Sequence, residues 1–211
     1  MASVGVPAAF APKHAHASKP QNSGDFFMMQ LPNSIATEPV APSLITPLDQ
    51  TPLLLLELLK ATHSSQGDAQ GVYPLLVENL DLLEAHFIYV LRNWATLTLS
   101  MVSLDEATLI ASVLVDLAGI IWALPEGDPD VNLEIAIACC EIALQVYTRE
   151  ELPWRWATVH NNLALCYSTR SHGNPVENTR RAYAHYYQAK EVFAHRVFPE
   201  EWQRVPHIKF V

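Results

Sequence analysis

Glycine is scarce in this 211-residue chain. Seven glycines are too few for glycine-rich phosphate loops or for a β-sandwich with many tight turns. Cysteine is scarcer still. Cys139, Cys140 and Cys166 make an odd count with two neighbours, so no disulfide framework follows. Adjacent positions on a helix point about 100° apart, which makes Cys139 and Cys140 poor ligands for a single metal ion. Free cysteines mostly pack as small hydrophobes, and this usage fits a reducing, cytoplasmic setting. Cations are also few, with 13 Lys+Arg against 22 Asp+Glu and a net charge of −9. That balance argues against nucleic-acid phosphates and against anionic lipid as partners. The longest apolar run, Ala107–Leu124, carries Asp116 at its centre. An Asp at mid-span is costly in lipid, so the run reads as a buried helix of a water-soluble protein. The first 24 residues hold no acid but lack the apolar stretch of a secretory signal.

Hydrophobic residues make up 50% of the chain, enough for an ordinary core. Their distribution divides the sequence. Residues 1–50 hold seven of the 15 prolines and no helical periodicity, and read as a disordered, Pro-rich extension. Phe26-Phe27-Met28-Met29 within it is a candidate docking segment, for a partner or for the body of the protein. Residues 51–104 read as an N-terminal helical region, 105–202 as repeats and 203–211 as a tail. Charge is uneven too. Residues 51–131 pair Lys60 and Arg92 with eleven acids, a local charge of −9, whereas 132–211 hold nine bases and eight acids. The acidic block serves solubility or attracts a basic partner.

Helix signals follow one another with no convincing strand pattern between them. Thr51-Pro52 before a leucine run is a helix start, and Gln66-Gly67-Asp68 ends it. A second helix is expected from Pro74 to about Leu99. Ser103-x-x-Glu106 is a capping box for a third that ends before Pro125. Further helices are expected at about 132–149, 154–170 and 178–196. In the first of these, Glu134, Glu141, Gln145 and Thr148 share one face and nearly everything else is apolar or small, the pattern of a helix covered on most sides.

The strongest internal signal is self-similarity. A shift of 46 aligns 111–156 with 157–202 without a gap. Thirteen pairs are identical, among them Leu117/Leu163, Ala118/Ala164, Gly127/Gly173, Pro129/Pro175, Asn132/Asn178, Ala136/Ala182, Pro153/Pro199 and Trp156/Trp202. Average composition would give about three. Each unit reads as helix, Gly-x-Pro-x-x-Asn loop, helix. A single hairpin cannot bury its apolar face, but stacked hairpins can.

Ala157, Asn162, Leu163, Ala164 and Tyr167, followed by Ala182 and Ala189, resemble the tetratricopeptide repeat (TPR). The strings NLEIAIACCEIALQVYTREELP, WATVHNNLALCYSTR and FPEEW resemble the long-repeat TPR arrays of cyanobacterial CHAT-associated proteins. The stride of 46 exceeds the usual one of about 34. The resemblance spans roughly 85–202 and implies an all-α, TPR-like solenoid of helical hairpins. It also implies that Asn162, and Asp116 one repeat earlier, line a concave groove that binds a peptide. An Asp there opposes a carboxylate ligand. Set against this family, the chain holds only about two units, and the segment after Trp202 departs from the repeat.

Other candidates come from the residues alone. Arg180 is placed to reach a partner carboxylate from the last helix, or is plain solvated charge. Tyr183 and Tyr187 lie at helical spacing and either pack on the preceding hairpin or form a binding surface at the uncapped end of the array. No nucleophile or zinc-protease motif occurs, and no His pair has the i, i+4 spacing of helical metal ligands. Neither catalysis nor a metal or cofactor is expected. The reading is a non-enzymatic module that binds a partner protein or peptide. The alternatives are a structural protein that forms homo-oligomers through its uncapped end, in which Phe198 and Trp202 take part, and a truncated remnant of a larger TPR–CHAT signalling protein.

Overall fold

The computed structural model describes residues 49–195. The Pro-rich extension, the Phe26–Met29 segment, Phe198, Trp202 and the tail lie outside the described residues. Among the described residues the fold is all-helical, with seven α-helices and no strand. None of these helices is long and apolar enough to cross a membrane.

α1 (Thr51–Ser64) starts where Asp49 accepts the Thr51 N–H at 3.0 Å and Pro52 occupies the first turn. Leu54, Leu55, Leu58, Leu59 and Thr62 form its buried stripe. The expected helix from Pro74 to Leu99 is interrupted. α2 (Tyr73–Glu78) stops at Asn79, a 3-10 turn covers Leu80–Leu82, and α3 (Ala85–Leu99) begins after the extended Glu84. The Asn79 side chain donates to the Leu75 carbonyl at 2.9 Å, and such local bonds compete with helix propagation. Phe87, Leu91, Ala95 and Thr98 then face inward from α3.

α4 (Leu104–Trp122) opens with the full capping box, in which Glu106 accepts the Ser103 N–H at 2.8 Å. Ten of its residues are buried, from Ala107 to Ile121. α5 (Pro129–Ala143) is sheathed by the rest of the molecule, with α3, α4 and α6 all packed on it. Its cysteines, and Cys166, are free and buried. Burial pushes the Cys139 and Cys166 thiols up to about 12 and Cys140 upward as well, which leaves no thiolate at neutral pH. α6 (Pro153–Thr169) and α7 (Pro175–His195) form the last hairpin. α5 and α7 each begin three residues before the expected positions, because a side chain caps them. Asp128 accepts the Asp130 N–H and Asn174 accepts the Val176 N–H, both at 2.9 Å, and Pro follows each cap.

The two hairpins α4–α5 and α6–α7 share a loop bond, to which the second adds bonds between Asn178 and Arg170. Asn132 donates to the Glu126 carbonyl at 3.0 Å, and Asn178, 46 residues later, donates to the His172 carbonyl at 2.8 Å. Gly127 and Gly173 have φ of 81° and 82°, a left-handed conformation that a Cβ opposes. Equivalent core positions are also buried alike: Leu117 and Leu163, Ala118 and Ala164, Ala136 and Ala182 are all at 0% exposure. The contiguous core runs from Leu54 to Tyr167 and takes only Ala182 from α7. α2 likewise gives it only Leu76.

Candidate interaction surface

The seam between α5 and α6 defines what this repeat uses to hold a neighbour. Asp130, Glu134 and Glu141 lie along α5. Ser171 Oγ donates to Asp130 at 2.6 Å, Arg170 forks onto Glu134 with one arm at 2.9 Å, and the Tyr167 hydroxyl donates to Glu141 at 3.0 Å. Between these contacts, Ala138 is wholly buried. A chain of polar contacts continues outward. Arg92 of α3 also bonds Glu141, Arg181 of α7 donates to the Tyr167 hydroxyl at 3.1 Å, and Glu177 accepts from both Arg181 and Arg180. Four helices are thus laced together.

A step of 46 residues carries Asp130, Glu134, Ala138 and Glu141 onto Val176, Arg180, Ala184 and Tyr187. On α7 this face is open. Val176 is 78% and Tyr187 56% exposed, and Ala184 is exposed where Ala138 is at 0%. Arg180 is exposed and paired with Glu177 at 2.7 Å. Tyr183 is half-buried and its ring stacks on Tyr187 at 6.4 Å between centroids. Three of the five expected site residues, Arg180, Tyr183 and Tyr187, therefore share the outer side of α7.

The other two do not join them. Asp116 sits half-buried on α4 against the Gln66–Gly67 turn, where a methyl on Gly67 would lie 3.1 Å from the carboxyl carbon. Burial raises its carboxyl to about 6, with Arg155 opposing. Arg155 in turn donates to the Tyr147 hydroxyl at 3.3 Å. Asn162 was expected in an open groove, but it lies wholly inside α6's packing at 0% exposure, and neither amide atom has a hydrogen-bond partner. α6 is flanked by α5 and α7, so the Asn162 position points into packed helix and presents nothing to solvent.

One juxtaposition was not visible in the sequence spacing. His160 of α6 and His185 of α7 bring their Nδ1 atoms to 2.9 Å. Tyr167 stacks on His185 at 5.6 Å with parallel planes, and Trp156 packs on His160 at 4.2 Å. Burial, then the neighbouring His185, lowers His160 to about 4. Burial also lowers His185, opposed by Glu141 and assisted by Arg181. Among the described residues no group of three or more His, Cys, Asp or Glu side chains is arranged to hold a metal ion.

Comparison of the chain with protein-family models, curated proteins and solved structures yields no match.

Proposed function

We propose that this protein is a TPR-like, non-enzymatic interaction module that recognises a partner protein or peptide. The observation that carries this reading is the open face of α7. In the preceding hairpin the same register positions hold the next helix, and in α7 they meet solvent. A repeat whose docking face is left over at the end of the described array is suited to take a polypeptide there. Arg180 supplies a guanidinium fork and Tyr183 and Tyr187 supply amphipathic rings. Asp116 is a secondary candidate on the other hairpin. Asn162 acts on this surface only through the packing of α6.

The test is affinity capture from the native source with the wild type and a Tyr187→Ala, Arg180→Ala double variant, both checked for folding by circular dichroism. Loss of a captured protein with the variant supports the reading. Equal recovery rejects the assigned face. A second reading, self-association through the same face, is favoured by the exposure of Val176 and Tyr187. Light scattering after size exclusion separates the two, because a strict monomer at high concentration excludes the second.

A further inference from the structure

The α5–α6 seam fixes both a direction and a polarity. Tyr167, Arg170 and Ser171 reach Glu141, Glu134 and Asp130 in that order, so the arriving helix runs antiparallel to the one that holds it. Its donors meet carboxylates around the small, wholly buried Ala138. A step of 46 residues keeps the small residue, as Ala184, and inverts the polarity. Arg180 stands in the place of Glu134, and Val176 and Tyr187 replace Asp130 and Glu141. A helix with the chemistry of α6 would bring a guanidinium to a guanidinium there, and like charges across an interface exclude a partner.

At 100° per residue, Val176, Arg180, Tyr187 and Lys190 fall within a stripe about 80° wide. All four are exposed, whereas Ala182 and Ala189, on the opposite side of the helix, are buried. Lys190 lies over the Tyr187 ring at 5.9 Å. The stripe therefore has an apolar middle flanked by two cations. The acids of α7 are committed. Glu191 pairs with Arg149 at 2.7 Å, and Glu177 accepts from Arg181 and from Nε and Nη2 of Arg180. The Arg180 side chain is still 70% exposed, and its fork has further N–H donors for a second carboxylate.

We propose, on the reading that α7's outer face recognises a polypeptide, that its occupant is an amphipathic helix of another protein. That helix lies antiparallel to α7, covers Val176, Ala184 and Tyr187 with its apolar stripe, and sets Asp or Glu side chains against Arg180 and Lys190. The same two cations repel a basic helix. Among the described residues the fold has no strand, so an extended peptide finds no sheet edge to join.

The experiment titrates the full chain into two fluorescein-labelled, hydrocarbon-stapled helical peptides and reads anisotropy. Both carry one leucine stripe, flanked by Glu in the first and by Lys in the second. The Glu peptide should bind the wild type about tenfold more tightly. The chain's net charge of −9 biases non-specific binding towards the Lys peptide, so this order reports the local face. An Arg180→Glu, Lys190→Glu variant, with folding verified by circular dichroism, should reverse it. A benzophenone at the N-terminus of the Glu peptide should label α7 nearer Lys190 than Val176. Equal affinities, the opposite order, no binding of either peptide, an unchanged order in the variant or labelling nearer Val176 overturns the proposal. Dimers in light scattering that the variant abolishes assign the face to a second copy, and adducts of Tyr187→p-benzoylphenylalanine within one chain assign it to the protein's own residues. Either result also overturns it. Affinity capture with the Tyr187→Ala, Arg180→Ala variant reads the underlying assignment separately. A partner lost with that variant, beside peptides that fail, leaves the recognition face standing and removes only its acidic, helical occupant.

Discussion

His160 and His185 face each other across the last hairpin with their Nδ1 atoms 2.9 Å apart. Only one proton fits between two such nitrogens, so the folded state holds at most one N–H there and resists protonation of both rings. The groups around them do not reverse this. Glu141 of α5 favours a charge on His185, Arg181 of α7 opposes it, and burial opposes it on both rings. The folded pKa values lie below the ordinary 6.5. The unfolded chain therefore binds more protons than the folded one between about pH 4 and 6.5, and stability falls as the pH drops through that window. Full conversion of the His160 shift would be ~3 kcal/mol, which partial solvation cuts to about 1–2 kcal/mol. Thermal melts from pH 7.5 to 4.5 should show the decline, and His160→Gln should flatten it. Equal slopes for the wild type and the variant would remove the pair from the account.

Asp116 titrates with the opposite sign. Its folded carboxyl, raised to about 6 by burial, favours the neutral acid. Its cost to stability is absent below about pH 4, builds up between pH 4 and 6, where the unfolded carboxyl is ionised and the folded one is not, and is complete above 6. Asp116→Asn should therefore stabilise the protein by about 2 kcal/mol at pH 7.5, with the gain shrinking towards pH 4. Denaturant titration at both pH values checks this, and a pH-independent difference would contradict it.

The two loops should respond alike to the same change. Gly127→Ala and Gly173→Ala each force a Cβ into a left-handed backbone and should each cost about 1–2 kcal/mol. Asn132→Ala leaves the Glu126 carbonyl without its donor, at about 1–3 kcal/mol, and Asn178→Ala does the same to the His172 and Arg170 carbonyls and should cost at least as much. The glycine pair should agree within about 0.5 kcal/mol. Urea unfolding of the four variants measures it. A large cost in one loop with none in the other would break the equivalence of the hairpins.

Much of this was legible in the sequence, because the repeat is written in residues with fixed jobs. Gly, Pro and Asn at a common offset predict a turn, a helix start and a cap, and each does that job twice. Legibility failed where tertiary neighbours decide. Asn79 halts a helix that leucine periodicity alone would carry to Leu99. Asn162 matched a family pattern by position, but its surroundings are packed helix. The histidine pair escaped a search for i, i+4 spacing because its members lie on facing helices. Register would have found it. A step back of 46 from His160 and His185 gives Leu114 and Cys139, both wholly buried in the preceding hairpin. The same arithmetic exposes the face of α7, which composition alone presents as an ordinary polar helix.

The central claim, that the outer face of α7 recognises another polypeptide, is tested most directly by placing a photo-cross-linker on it in the native source. Tyr187→p-benzoylphenylalanine should yield a discrete adduct with a partner, and Tyr89→p-benzoylphenylalanine on α3, also exposed at 64%, should not. Adducts from position 89 but none from position 187 would contradict it.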